Sequence, residues 1–98
     1  MNLPFEIRAK LTTTVSGVIL DCNTRNPIKN FHFSLLDDRA NAIFEVTTNS
    51  KGEFIFSINR YLLHVIKVEN PKYGKKEFTI PKGQMAAYIV ILLNKKQK

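Results

Sequence analysis

Short runs of β-branched and aromatic residues recur about every ten positions along this chain, each bounded by Asn, Asp, Gly or Pro, and sustained helical periodicity is hard to find. That pattern restricts the chain to a β-sandwich or barrel. Seven strands are predicted, over residues 11–20, 31–36, 42–48, 54–58, 61–69, 75–80 and 86–93. Alternation assigns inward faces directly in places: Phe31, Phe33 and Leu35 lie opposite His32 and Ser34, and Phe54, Phe56 and Ile58 lie on one side of their strand. In the fifth run Leu62, Ile66 and Val68 share a face with His64, with the opposite frame of Tyr61, Leu63, Val65 and Lys67 left open. Residues 86–93, AAYIVILL, are almost continuously apolar, which predicts a strand central to a sheet and covered on both faces.

The connections are equally legible. DCNTRNPIKN carries Asn23, Asn26, Pro27 and Asn30 and reads as a loop of about ten residues. Asp37 to Asn41 has the composition of a hairpin turn. Gly52 supplies the positive φ of a tight connection, and Gly17 within the first strand marks a close backbone approach or a bulge.

Ninety-eight residues supply one modest core, expected over about 11–93 with a basic tail at 94–98, so a single domain spanning 1–98 is predicted. A composition 44% apolar and 23% charged is that of a globular protein. Cys22 stands alone, so hydrophobic packing rather than a disulfide must hold the fold. The opening MNLPFEIRAK has no apolar run of signal-peptide length, and no stretch reaches the length of a membrane helix. The expected location is then cytoplasmic for a free-standing chain, or the cell envelope or exterior for one excised from a longer protein.

Charge is asymmetric. The net +7 lies in the second half, where ten basic residues face only Glu53, Glu69 and Glu77. Lys67, Lys72, Lys75, Lys76, Lys82, Lys95, Lys96 and Lys98 are candidates for phosphate contacts, with Tyr73 or Phe78 available to stack on a base. Lysine dominates over arginine, and lysine lacks the planar fork suited to bidentate recognition. A solvated face with a charged edge strand at 75–80 is therefore the favoured reading, with polyanion binding as the alternative.

Candidate chemistry is sparse. His32 and His64 are the neutral-pH bases, read as a surface strand residue and a core-edge residue with one satisfied hydrogen bond. Cys22 lies in a loop without a nucleophile signature and is read as an ordinary thiol. Asp21 to Asn26 superficially has the look of a calcium loop, but Arg25 occupies a ligand position and the glycine and terminal glutamate are missing. Asp37 and Asp38 are adjacent and read as turn formers, not as an opposed acid pair. No catalytic, cofactor-binding or metal-binding residue is assigned.

The order of signals resembles the carboxypeptidase regulatory-like domain, a sandwich of the prealbumin (transthyretin) type. Val15-Ser16-Gly17-Val18-Ile19-Leu20-Asp21 is similar to that family's V-x-G-x-V-x-D opening, and Thr24 with Pro27-Ile28 to its T-x-x-P-L loop. Phe33 and Leu35 fall where its next strand has V-x-L. Thr48 to Phe56 is similar to its T-D-x-x-G-x-F-x-F segment, and Val68 to Tyr73 to its V-x-x-x-G-Y, with Tyr73-Gly74 in reversed order. The resemblance covers about residues 13–93 and implies an all-β, seven-stranded antiparallel Ig-like or prealbumin-like β-sandwich. Two related families carry marker residues of their own. Transthyretin-like hydrolases of 5-hydroxyisourate end in Y-R-G-S, whereas this chain ends Asn94-Lys95-Lys96-Gln97-Lys98. Cna-B-type adhesin domains join a first-strand lysine to a last-strand asparagine with an acid assisting. Lys10, Asn94 and Glu69 supply those residue types here, but the expected lysine position falls near Ile19.

Function is read accordingly. The resemblance implies a noncatalytic accessory module for protein interaction or structural support, in a cell-envelope or secreted assembly, needing no cofactor and meeting a protein partner through an edge strand or loop end. The alternatives are a small enzyme using His32 or His64 and a polyanion-binding module using the basic C-terminal half.

Overall fold

The computed structural model describes residues 11–83 and 87–96. They form seven strands, β1 (Thr12–Asp21), β2 (His32–Leu36), β3 (Ala42–Thr47), β4 (Glu53–Asn59), β5 (His64–Asn70), β6 (Gly74–Ile80) and β7 (Ala87–Leu93), with no helix among the described residues. A three-stranded sheet has the order β4-β1-β7, and a four-stranded sheet the order β3-β2-β5-β6. Their inner faces share one core. Val15, Ile19, Phe54, Phe56, Ile58, Ile91 and Leu93 from the first sheet meet Phe33, Leu35, Val46, Ile66, Val68 and Ile80 from the second. Phe33 packs edge-on against Phe54 across the interlayer space, with ring centroids 5.2 Å apart, the geometry that aromatic quadrupoles favour.

Alternation places Phe33 and Leu35 of β2 and Phe54, Phe56 and Ile58 of β4 inside, as their period of two predicts. His64, Ile66 and Val68 of β5 are buried too, but the strand starts at His64 and not at Tyr61. Residues 61–63 belong to the preceding turn, where the Asn59 side chain accepts from Tyr61 N–H (2.9 Å) and its carbonyl from Leu62 N–H (3.1 Å), leaving Leu62 exposed. β1 extends one residue further than expected, so that Asp21 is the last residue of the strand and buried.

Two expectations are corrected by the path of the chain. The strands are not all antiparallel: β7 runs parallel to β1, with Val15 opposite Ala87 through to Asp21 opposite Leu93. Nor is β7 central and doubly covered. It ends the three-stranded sheet, and Tyr88 and Val90 on its outer face are 64% and 55% exposed. An apolar run records what each residue prefers, whereas a parallel partner is supplied by a crossover that here includes the whole of β2 to β6. The expected edge status of β6 is observed.

Gly17 shows why β1 and β7 approach so closely. A methyl group there would collide with the Ile89 carbonyl oxygen and come within 2.8 Å of the Phe54 ring. Gly52 has φ +73°, and a methyl there would lie 2.9 Å from both the Ile19 carbonyl and the Pro27 side chain. No helix among the described residues is long and apolar enough to cross a membrane.

Candidate interaction surfaces

The connections β1–β2, β3–β4 and β5–β6 and the segment after β7 gather at one end of the molecule, and internal hydrogen bonds tie them together. Thr48, buried between the layers, accepts from Phe31 N–H (2.8 Å) and donates to the Ile28 carbonyl (2.7 Å), joining the first two connections. The Asn49 side chain accepts from Lys51 and Glu53 N–H, both at 2.9 Å, which shapes the turn ending in Gly52. Lys96 N–H donates to the Lys72 carbonyl at 2.7 Å, so the basic tail is joined to the β5–β6 turn at Lys96.

Asp21 is the hub of this end. Its Oδ1 accepts from Asn23 N–H (2.9 Å) and Thr24 N–H (3.1 Å), and its Oδ2 accepts the Tyr73 hydroxyl (3.0 Å). The Thr24 N–H, against the opposing cost of burial and helped by Asn23 N–H, the Tyr73 hydroxyl and the charge of Lys95, holds its carboxyl below the usual value of 3.8. Burial, followed by the bond to Asp21, pushes the Tyr73 hydroxyl up. These contacts make Asp21 a structural group.

Around that hub the exposed cations converge. Arg25, Lys29, Lys51, Lys72, Lys95 and Lys96 all lie in the four segments at this end, bordered by Asp21 and the strand-end residues Glu53 and Glu69. Glu69 is engaged by Lys75 at 3.7 Å. Part of the basic character of the second half of the sequence thus collects at one end of the fold, where Arg25 and Lys29 of the first half join it. Lys82 sits at the opposite end, after β6, and Lys67 lies within β5. Of the two proposed stacking rings, Tyr73 is enclosed, 6% exposed with its hydroxyl on Asp21, and Phe78 is partly buried against the core. A ring can stack on a base only if its face is accessible.

The histidines do not converge. His32 is exposed on the outer face of β2, with Nδ1 2.7 Å from Thr47 Oγ1. His64, 2% exposed, is on the inner face of β5, with Nδ1 3.0 Å from the Leu62 carbonyl. A sheet layer separates them. Asp37 accepts from Arg39 and Asn41 N–H and builds the β2–β3 turn, while Asp38 points outward. Cys22 is a half-buried free thiol. Among the described residues no group of three His, Cys, Asp or Glu is placed to hold a metal ion. Lys10, the lysine of the Lys10–Asn94 pair, lies outside the described residues, as do Ala86 and Lys98.

Sequence reasoning overlooked an apolar surface on the outer face of the three-stranded sheet. The register places Ile55 and Tyr88 on either side of Ser16, Glu53 and Val90 on either side of Val18, and Leu92 beside Leu20. Ile55 is 68% exposed, and Val18, Leu20 and Leu92 are half-buried. The alternation of β1 and β7 hid this face because both of their sides are apolar, and an apolar outer side reads as a second core contact.

The fold is therefore that of all-β proteins built from two facing sheets of three and four strands. No family model matches the chain, and no curated protein matches it. Among solved structures it is similar in fold to the Bacillus anthracis TIE protein, at 15% identity and a TM-score of 0.68 over 87% of this chain. The chain spans 17% of that protein's length.

Proposed function

We propose that this chain is a noncatalytic, prealbumin-like β-sandwich module of the carboxypeptidase regulatory-like kind, and that it works by binding protein through its three-stranded sheet. The observation that carries this reading is the outer apolar face, where Ile55, Tyr88 and Val90 stand more than half exposed beside Val18. Solvent does not favour such clustering, and contiguous apolar patches on soluble domains mark interaction surfaces. The separate placement of His32 and His64, each with one local hydrogen bond, gives the enzyme alternative no assembled pair of groups to act with. The short span of the TIE protein that this fold matches supports its use as one module within a longer chain.

The test is site-specific photo-crosslinking in the cells that make the protein, with the crosslinking residue placed at Val90, Ile55 or Glu77. Protein adducts are expected from Val90 and Ile55 and not from Glu77 on β6. Absence of adducts from both positions of the apolar face would overturn the reading.

A second reading rests on a different observation, the gathering of six cations at the loop end. That end would bind polyanions through long-range attraction without base stacking, since Tyr73 is enclosed.

A further inference from the structure

Four strand edges are open in principle, and three of them carry features that resist pairing with another chain. β6 carries Lys75, Lys76 and Glu77. β3 carries Glu45 and its pairing with β2 shifts register between Leu35 and Leu36. β4 begins at Glu53 and lies against β3. Charges and irregularities of this kind are how sheets blunt their edges. β7, Ala-Tyr-Ile-Val-Ile-Leu-Leu, has no charge and no proline, and it pairs with β1 over seven residues without a bulge.

Backbone direction adds a second constraint. Cys22 N–H donates to the Leu93 carbonyl at 2.9 Å, so the peptide groups of Leu93 turn toward β1. With a period of two, those of Ile91, Ile89 and Ala87 do the same, and those of Tyr88, Val90 and Leu92 turn toward the open edge. Among the described residues no strand pairs with that edge. The side chains of these same three residues form the outer apolar face.

From this geometry we infer that β7 pairs with β7 of a second copy, antiparallel, about a two-fold axis at Val90. The inference rests on the protein-interaction reading and adds to it a second copy of the chain at the edge of the same sheet. In this register Val90 faces Val90 of the other copy, Tyr88 faces Leu92, Ile89 faces Ile91 and Ala87 faces Leu93, so every cross-strand pair is apolar. Val90 with its counterpart, and Tyr88 with Leu92 on each side of the axis, become hydrogen-bonded pairs that satisfy every outward peptide group of the three residues. The two three-stranded sheets become one, and their outer apolar stripes become continuous.

Charge decides both occupant and direction. A neutral strand offers nothing to select a charged partner strand, whereas it is complementary to itself along its whole length. Antiparallel pairing also separates the basic ends: Lys95, five residues beyond the axis, lies roughly 30 Å from its counterpart at ~3.3 Å per residue, well past the ~8 Å screening length at physiological salt. A parallel arrangement would place them side by side.

Sedimentation of the full chain over roughly 1–300 µM should show a dimer that grows with concentration, since a single strand pair lies at the weak end of interface sizes. Val90→Lys should be monomeric throughout with an unchanged β-type circular dichroism spectrum, and Lys76→Glu on β6 should self-associate like the parent. Register is tested in a Cys22→Ser background. Val90→Cys should oxidise to a covalent dimer, because Cα atoms of a hydrogen-bonded antiparallel pair lie about 5.5 Å apart, within disulfide reach. Ile55→Cys on the far strand of the same sheet should not. A parent chain monomeric at every concentration, or equal crosslinking of the two cysteine variants, overturns the dimer. Photo-crosslinks from Val90 to a different protein would then leave the interaction reading standing without it. Should Val90→Lys fail to fold, the cysteine pair still decides.

Discussion

The hydroxyl of Tyr73 donates to Asp21 across 52 positions of sequence, at 3.0 Å, and joins the turn between β5 and β6 to the end of β1. The bond spans the two sheets, so it latches the end of the molecule where the cations collect. Because Asp21 is held ionised by its donors, its contribution has a definite pH sign. A carboxyl with a lowered folded value stabilises the fold above its unfolded value, near 3.8, and loses that contribution as pH falls through the folded value. Asp37, lowered chiefly by Asn41 N–H, adds in the same direction. Thermal melts should show stability level above pH 5 and falling below about pH 4. Asp21→Asn should melt lower at pH 7 and show a shallower fall in acid, and an unchanged acid limb would remove Asp21 from the account.

Thr48 makes its own test. Thr48→Val keeps the shape but strands the Phe31 N–H and the Ile28 carbonyl, so a loss of about 1–3 kcal/mol is expected by denaturant titration. Thr48→Ser retains the hydroxyl and should lose less.

Gly17→Ala should cost on the order of 1–3 kcal/mol, the range for overpacking, because the added methyl meets the Ile89 carbonyl and the Phe54 ring. A glycine on an open strand face would show a gain on the same substitution, through reduced freedom of the unfolded chain. The sign of the change is the measurement.

Polyanion binding should weaken steeply between low and physiological salt. Replacing Lys72, Lys95 and Lys96 together by Gln should flatten the dependence of log K on log salt by roughly 0.7–0.9 for each phosphate contact removed, while Lys82→Gln at the opposite end should change it less. Phe78→Ala should leave affinity per charge unaltered if its ring takes no part. Binding that persists at physiological salt and depends on an aromatic residue would instead point to a built nucleic-acid site.

Much of the inner layer was legible from local pattern. Phe33, Leu35, Phe54, Phe56 and Ile58 announce their burial because a strand alternates every two residues whatever it pairs with. Gly52 and Asp37 likewise act within a few residues of themselves, through a positive φ and local hydrogen bonds, so their turns were readable in place. The sites were less legible. Tyr73 stood as a candidate stacking ring in the polyanion alternative because nothing near it in sequence reveals Asp21, and Arg25 and Lys29 read as loop residues of a neutral half.

What the amino-acid sequence determined by itself was the approximate set of strands, the inward faces of β2 and β4 and the turns at Asp37 and Gly52, because propensity, alternation and φ preference are properties of short segments. The tertiary structure alone decided that β7 lies parallel to β1 at an edge, that cations from both halves share one end, and that Ile55, Val18, Val90 and Tyr88 share the outer face of one sheet. Each of these depends on which distant segments become neighbours, and neighbours are chosen by the packing of the whole core rather than by any stretch of chain read alone.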